Sequence, residues 1–442
     1  MDNMVVDVRQ KIRQQFDTGP YPRIPLEASP KKEPKSLYIH NLVNSYYLRR
    51  QKIINTKDKL ILDAGCGSGY KSLVLAQANP GAKIVGVDIS EKSIELARQR
   101  LQHHRFDNTD FHVISIEDLP QLGLEFNYIN CDDVLYLLPE PVVGLQAMKS
   151  VLKPDGIIRA NLHSSLQRTQ YFRAQEVFKL MGLMDENPEE MEIQLVREIM
   201  TSLKDIVMLK SITWDFNFEV NEEQILANYL LQGDKGYTIP EMFSILRAAE
   251  LEFINMVNWR HWNLMALFKE PDNLPIFLAM SFPQASIEEQ LHLFELLHPV
   301  HRLLDFWCGH PEQSQSPKPI AEWKPSDWQE VQVYLQPQLR MTNLKEDMVK
   351  SITLLKPLEI SPVLTNEDSM FLDTNIASFL LPIWDESQSV KSLVDYWQKL
   401  RPVHPLTLEP MGEQEALDCV IQALTLLESF GYVLVERRSQ MA

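Results

Sequence analysis

The sequence predicts an α/β fold, a doubly wound and mostly parallel sheet with a helical insertion and a smaller C-terminal α+β, winged-helix-like domain. Three observations predict it. Short apolar strands alternate with helix-like stretches from Lys59 to Asn161, the βαβ pattern of a parallel sheet. A glycine-rich turn, Gly65-Cys66-Gly67-Ser68-Gly69, stands between the first strand and the first helix. Far downstream, beyond a proline-rich break, an amphipathic helix is stopped by Gly431 and followed by a short apolar strand.

At 442 residues the chain exceeds one typical domain, and 45% hydrophobic with 23% charged residues place it among folded globular proteins. The 60 Asp and Glu against 43 Lys and Arg give a net charge of −17, which opposes salt-driven phosphate binding, so no nucleic-acid partner is expected. The charge is uneven: residues 1–60 hold 12 basic and 6 acidic side chains, a basic arm before an acidic body. Cys66, Cys131, Cys308 and Cys419 lie far apart with no CxxC, which suits a reducing, cytoplasmic setting and suggests neither a disulfide framework nor a cysteine zinc site. The N-terminus lacks an apolar signal core, and no run approaches the ~18–20 apolar residues of a membrane span. Neither export nor a membrane partner is expected.

The elements follow in order. Residues 1–58 read as an N-terminal arm and helices: a short amphipathic helix over 1–17, then a stretch, 19–36, too rich in proline for regular structure. Residues 59–165 form the core domain. There Leu60–Leu62 is a strand, the stretch to Asn79 a helix, and Ile84–Val87 a second strand. Ser90 caps a second helix whose Ile94, Ala97 and Leu101 share one face. Phe111–Ile114, Phe126–Asn130 and Gly156–Asn161 add three strands, the last after a Lys153-Pro-Asp-Gly156 turn. Residues 166–262 hold the helical insertion, a candidate lid over the C-terminal edge of the sheet, and the last part of the fold. That part has a helix opened by the capping box Thr238-Ile-Pro-Glu241 and a strand within Leu251–Trp259. A second capping box, Ser286-Ile-Glu-Glu289, opens a helix toward Trp307 in a helical extension, 263–310. Residues 311–364 read as a linker region and 365–442 as the winged-helix-like domain, whose helix carries Leu417, Val420, Ile421, Leu424 and Leu427 on one face.

The chemistry concentrates around Asp63-Ala64-Gly65-Cys66-Gly67-Ser68-Gly69. Glycines let the backbone approach a ligand closely, at the strand tips where doubly wound sheets bind ligands. The second strand ends in Asp88, 23 residues after Gly65, where a carboxylate can accept both hydroxyls of a ribose. A dinucleotide oxidoreductase is the rival reading, but it takes a GxGxxG spacing, and Tyr70-Lys71-Ser72 supplies no glycine at that point.

The segment resembles motif I of the class I S-adenosylmethionine-dependent methyltransferases, and the resemblance continues to about residue 165. It implies a Rossmann-like fold, S-adenosyl-L-methionine as cofactor and S-adenosyl-L-homocysteine as product. It implies further that Asp63, Ala64, Gly65, Cys66, Gly67 and Gly69 cradle the methionine end, that Asp88 with Ile89 takes the ribose, and that Ser115, Ile116 and Glu117 flank the adenine, with Asn130 also at the cofactor. The family often has Asp-Ala where Ser115-Ile116 stands. A sulfonium methyl is already electrophilic, so alignment alone can lower the barrier by ~7–11 kcal/mol and a general base is optional. Candidates near the methyl are Asn130, Asp132, Asp133 and Tyr136 after the fourth strand, His163 after the fifth, and Tyr21 with Arg23 from the arm. For Asp133, Tyr136 and His163 the competing role is capping or packing. Gly233-Asp-Lys-Gly236-Tyr237 is a turn able to aim Tyr237 inward. His298, His301, Cys308 and His310 read as packing of an apolar helix, and no metal is expected.

The order of methyltransferase domain, insertion and small C-terminal domain resembles that of bacterial protein methyltransferases with a C-terminal regulatory domain. Segments such as Tyr21-Pro-Arg-Ile-Pro25 look cyanobacterial, and within that group the chain is similar to enzymes that N-methylate an asparagine of phycobilisome β subunits. The resemblance implies methyl transfer to a protein side-chain nitrogen, asparagine or lysine, with a phycobiliprotein β subunit as a candidate partner and the tail serving docking or homo-oligomerisation. Amide methyltransferases commonly carry Asn/Asp-Pro-Pro-Tyr after the fourth strand, where this chain has Asn130-Cys-Asp-Asp133. The alternatives are small-molecule O-, N- or C-methylation and a non-catalytic regulator that senses S-adenosylmethionine.

Overall fold

The computed structural model describes residues 13–14, 17, 21–215, 217–218, 221–312, 317–341, 343–360, 370–404 and 407–437. Most of the helix expected over 1–17, with Gly19, Pro20 and part of the break after His310, lies outside the described residues. The chain divides into two compact units, one drawn from residues within 1–28, 58–76 and 81–312, the other from residues within 29–57, 77–80 and 313–442.

In the first unit, the chain's apolar runs make one sheet. Its strands are β1 (Leu60–Ala64), β2 (Lys83–Asp88), β3 (Thr109–Val113), β4 (Phe126–Cys131), β5 (Leu152–Ser164), β6 (Gly236–Tyr237), β7 (Glu252–Met256) and β8 (Leu303–Gly309). They run in the order β3-β2-β1-β4-β5-β8-β7, with β6 beside the end of β5. Pairings from β3 through β5 are parallel, and β8 is antiparallel to both neighbours. The order reverses between β1 and β4, so the crevice at the tips of these strands is the expected place for a ligand. Ile94, Ala97 and Leu101 of the helix Glu91–His103 are buried, behind a Ser90 cap whose hydroxyl accepts from the Ser93 amide at 3.1 Å. The capping boxes at Thr238 and Ser286 both form.

Two expectations need correction. The segment expected as a helical extension, 263–310, contributes β8 to the sheet, between β5 and the edge strand β7, because a short apolar run such as Leu303–Gly309 cannot be told from a buried helix by periodicity. Nor does Lys153-Pro-Asp-Gly156 form a turn before the strand. β5 starts at Leu152 and absorbs those residues as a bulge, the register stepping from Phe126 opposite Leu152 to Tyr128 opposite Ile157. The insertion is helical as predicted. Its helices Thr169–Leu180, Glu190–Ser202, Met208–Thr213 and Glu222–Tyr229 enclose a core of their own, including Phe178, Val196, Ile225 and Tyr229.

The second unit is α+β. Its main sheet places β9 (Val331–Leu335) between β12 (Gln388–Ser389) and β13 (Val433–Arg437), all antiparallel, and β10 (Leu358–Glu359) pairs with β11 (Phe371–Leu372). The helix Glu413–Ser429 buries Val420, Leu424 and Leu427, as its periodicity predicts. The central strand, however, lies inside the expected linker region 311–364, since Val331, Val333 and Leu335 are buried core residues. The helix Leu42–Arg50, expected to belong to the arm, also joins this unit: the Tyr47 hydroxyl donates to Glu428 at 2.9 Å and accepts from the Val435 amide at 3.1 Å. Among the described residues no helix is long and apolar enough to cross a membrane, and no group of three His, Cys, Asp or Glu side chains is placed to hold a metal ion.

Candidate active site

The turn after β1 is built on left-handed backbone at Gly65 (φ 79°), Gly67 (φ 51°) and Gly69 (φ 82°), which favours glycine at each. The Gly65 and Cys66 amides donate to the Val87 carbonyl at 2.8 and 2.9 Å. Gly67 then donates to Asp88 Oδ2, and Ser90 to Asp88 Oδ1, both at 2.9 Å. These bonds fix the Asp88 carboxylate at the tip of β2. A carboxylate offers about four acceptor sites, so the Asp88 carboxylate can still take a further donor such as a ribose hydroxyl. Burial raises the Asp88 pKa, against the pull of those amides.

Each glycine is also required by a protein neighbour, a correction to the view that all three simply give way to a ligand. A Cβ on Gly65 would lie 2.5 Å from Val134 Cγ2, and one on Gly69 2.6 Å from the Ala97 Cα. One on Gly67 would lie 2.2 Å from the Tyr21 carbonyl oxygen. Thus the arm crosses the turn. Ser68 donates from its amide to the Tyr21 carbonyl at 2.9 Å and from its hydroxyl to the Pro22 carbonyl at 2.7 Å. Arg100 clamps the arm from the far side, donating to the carbonyls of Ser68, Pro25 and Ile24 at 3.0, 2.8 and 2.7 Å.

Beneath the turn lies a buried polar network. Asp63 accepts from Ser72 at 2.6 Å and from Asn130 at 2.9 Å, and burial lifts its pKa to about 6. Asn130 in turn accepts from Arg159 at 3.0 Å. Arg159 also reaches Asp132 at 3.1 Å and Asp305 at 2.7 Å, while Lys71 holds the other oxygen of Asp132 at 2.8 Å. Burial lowers the Lys71 pKa, but the Asp132 carboxylate outweighs it, so the ammonium stays charged. A buried arginine between two carboxylates satisfies charges that neither could carry alone.

Above the network a cavity of about 580 Å³ opens beside the strand tips. Tyr21, Asp133, Tyr136, His163 and Arg302 line its floor, and Glu189, Ile193, Glu223 and Asn228 of the insertion line its roof. Asp133 sits in left-handed backbone (φ 58°), and its amide donates to Asn161 at 2.9 Å. Such a conformation is uncommon in non-glycine residues, and aspartate is among those that adopt it most readily. Tyr136 stacks on His163, ring centroids 3.7 Å apart and planes 20° apart. Burial raises the pKa of Tyr136 well above 10 and that of Tyr21 to about 12, so both stay protonated phenols.

The residues expected at the reacting centre therefore separate into two groups. Tyr21, Asp133, Tyr136 and His163 come together around the cavity, with Arg23 at its rim. Asn130 and Asp132 lie in the network beneath, fully engaged with Asp63, Lys71 and Arg159, where they hold strand tips in place instead of facing an acceptor. Of the residues expected at the adenine, Ile116 is buried in the core while Ser115 donates to Asp118 at 2.9 Å and Glu117 stays half-buried. Ile89 packs against the same core, and Ala64 and Cys66 are buried, leaving only backbone to meet a ligand there. The turn expected to aim Tyr237 inward aims Asp234 instead, and Tyr237 packs on the sheet core. Sequence reasoning missed Lys71, Arg159, Asp234 and Arg302. For Arg159 there was a signal: an arginine inside an apolar strand requires buried partners.

The glycine turn, the Asp88 carboxylate and the arm over Gly67 fit a nucleoside with an amino-acid tail. These parts, on this sheet, define an S-adenosylmethionine-dependent methyltransferase, a class that the comparisons bear out. The model of a family described as a methyltransferase domain matches residues 55–229. An uncharacterized protein of Synechococcus sp. is 27% identical over 323 residues, 72% of this chain and 75% of its own length. A ubiquinone biosynthesis O-methyltransferase of Actinobacillus pleuropneumoniae is 31% identical over 140 residues, covering 30% of this chain and 57% of that protein, so the chain spans little more than half of that relative. In fold, the chain is similar to PKMT2 from Rickettsia typhi, with a TM-score of 0.59 at 15% identity over 91% of this chain and 75% of that one. The same protein in complex with AdoHcy gives a TM-score of 0.58.

Proposed function

We propose that this methyltransferase acts on a side-chain nitrogen of a protein, asparagine or lysine, presented in the cavity beneath the insertion. The observation that carries the reading is the lining of that cavity. Asp133, Tyr136 and His163 bring acceptor atoms to that cavity, those of Asp133 and His163 shared with Arg302, directly beside the arm residue, Tyr21, that touches the glycine turn. The cofactor supplies an electrophilic methyl, so the chain's part is to orient the nitrogen, exclude water with the arm and insertion, and receive a proton. Its partner class is accordingly a protein, with a phycobiliprotein β subunit as the first candidate. Docking or self-association through the second unit is part of the same reading.

The cavity volume also favours a second reading, methylation of a small molecule, because about 300–1,000 Å³ is the range of small-ligand pockets. One experiment separates the two. The pure protein is incubated with tritiated S-adenosylmethionine and lysate from a source strain lacking its gene, and the label is located by size. Label on one discrete polypeptide supports the protein reading, and digestion then names the residue. Label confined to the small-molecule fraction overturns it in favour of the second.

A further inference from the structure

His163, the last but one residue of β5, is held from three sides. Its ring stacks on Tyr136, its Nδ1 lies 2.6 Å from Asp234 Oδ1, and its Nε2 lies 2.9 Å from Arg302 Nη1. A guanidinium can only donate. Nε2 must therefore carry the lone pair, and the proton must sit on Nδ1, donated to Asp234. The rest of the pocket agrees: burial, with two arginines nearby, pushes the His163 pKa down to about 4 even against Asp234, so the ring is neutral at pH 7.

Asp234 is more firmly fixed than its loop position suggests. Its second oxygen accepts from Arg168 and from Gln175, each at 2.9 Å. Those two residues belong to the start of the insertion, and both also bond Asn228 at its end, at 3.0 Å. The carboxylate thus joins both ends of the insertion to β5. We propose that Asp234 is a positioning residue for methyl transfer, fixing His163 as the Nδ1–H tautomer so that Nε2 faces the cavity as the acceptor of the nucleophile's proton. This rests on the methyltransferase reading above.

In the step, the acceptor nitrogen's proton passes to Nε2 as its electron pair forms the bond to the methyl carbon. The pair of the breaking carbon–sulfur bond stays on sulfur, and His163 leaves as an imidazolium facing the Asp234 carboxylate. Arg302 occupies Nε2 here. It is the partner able to yield, since its side chain is 44% exposed and retains a second anchor on Asp133 at 3.0 Å, whereas His163 and Asp234 are 1% and 0% exposed.

The test uses the full chain labelled with 15N-histidine, His163 being assigned from its loss in H163Q, with two-bond 1H–15N spectra recorded at pH 7.5. Wild type is expected to show the proton on Nδ1. In D234N, Arg168 and Gln175 keep the amide oxygen at the second position, so its NH2 would donate to Nδ1 and the proton is expected to move to Nε2, Arg302 swinging off onto Asp133 alone. Alongside, kcat for the polypeptide labelled in the lysate experiment should fall at least tenfold, with its KM and the affinity for S-adenosylhomocysteine unchanged within threefold. D234E should restore both the tautomer and most of the rate. A wild-type ring protonated on Nε2, or a D234N enzyme with a moved proton and an undiminished kcat, would overturn the proposal. If D234N does not fold, the wild-type tautomer and D234E still decide. A wild type that labels no polypeptide overturns the acceptor assignment instead, leaving the spectra to judge the hold of Asp234 on His163.

Discussion

The carbonyl oxygen of Tyr21 lies 2.9 Å from the backbone nitrogen of Ser68, so the arm and the glycine turn share a hydrogen bond beside the one position, Gly67, where a side chain would force them apart. Arm and turn close one site together, and a cofactor entering it must meet both.

Gly67→Ala should therefore act twice. Left-handed backbone costs an alanine about 1–2 kcal/mol, and the new methyl must push the Tyr21 carbonyl away. Calorimetric titration with S-adenosylhomocysteine is expected to show at least a tenfold loss of affinity, and trypsin should cut faster at Arg23. Unchanged binding would show that the arm does not enclose the cofactor.

Arg100→Leu removes the clamp while leaving the turn's glycines and Asp88 in place. Three backbone carbonyls, of Ser68, Pro25 and Ile24, lose their donor. S-adenosylhomocysteine should dissociate severalfold faster in stopped-flow displacement, with a smaller effect on its association rate, because the clamp acts on the closed state.

Asp63 sets a pH dependence of stability. Its pKa is raised from 3.8 to about 6, mainly by burial, so the folded chain favours the protonated carboxyl. The associated stability is fully present below about pH 3.8 and is lost as pH rises through 6, a change on the order of 3 kcal/mol. Asp63→Asn lacks this titration. Urea melts of both proteins from pH 4 to pH 7 should show the stability difference moving in favour of the variant as pH rises.

Arg159→Met should be severe. It leaves Asp132 and Asp305 without their shared cation in a buried site, a change that costs about 3–5 kcal/mol. Chemical denaturation of the double variant with Asp305→Asn should recover part of the loss, since one uncompensated charge is then gone.

Much of this molecule was legible where local chemistry decides. Ser90, Thr238 and Ser286 cap the helices they were expected to open, and the glycine turn falls between β1 and its helix as its spacing predicts. What stayed hidden depends on contacts distant in sequence. Leu303–Gly309 could be a helix or a strand until β5 is present to pair with it, and Asp234 looks like a turn residue until His163 and Arg168 converge on it. The split among Asn130, Asp132, Asp133 and Tyr136 is of the same kind. Asn130 lies in β4 and Asp132 just beyond it, and Asp63, Arg159, Asn161 and Lys71, arriving from elsewhere, draw these two into the network while Asp133 and Tyr136 stay at the cavity.

The place of β8 bears on how the chain is made. Among the described residues β7 pairs with β8 alone, and β8 emerges from the ribosome some 50 residues after β7 and about 140 after β5. Until residue 309 has been synthesised, both β5 and β7 present open edges, the kind of surface that invites pairing with other chains. The nascent protein thus passes through a long interval in which its largest sheet is unfinished, and a chaperone covering the β5 and β7 edges until β8 is made would protect it best.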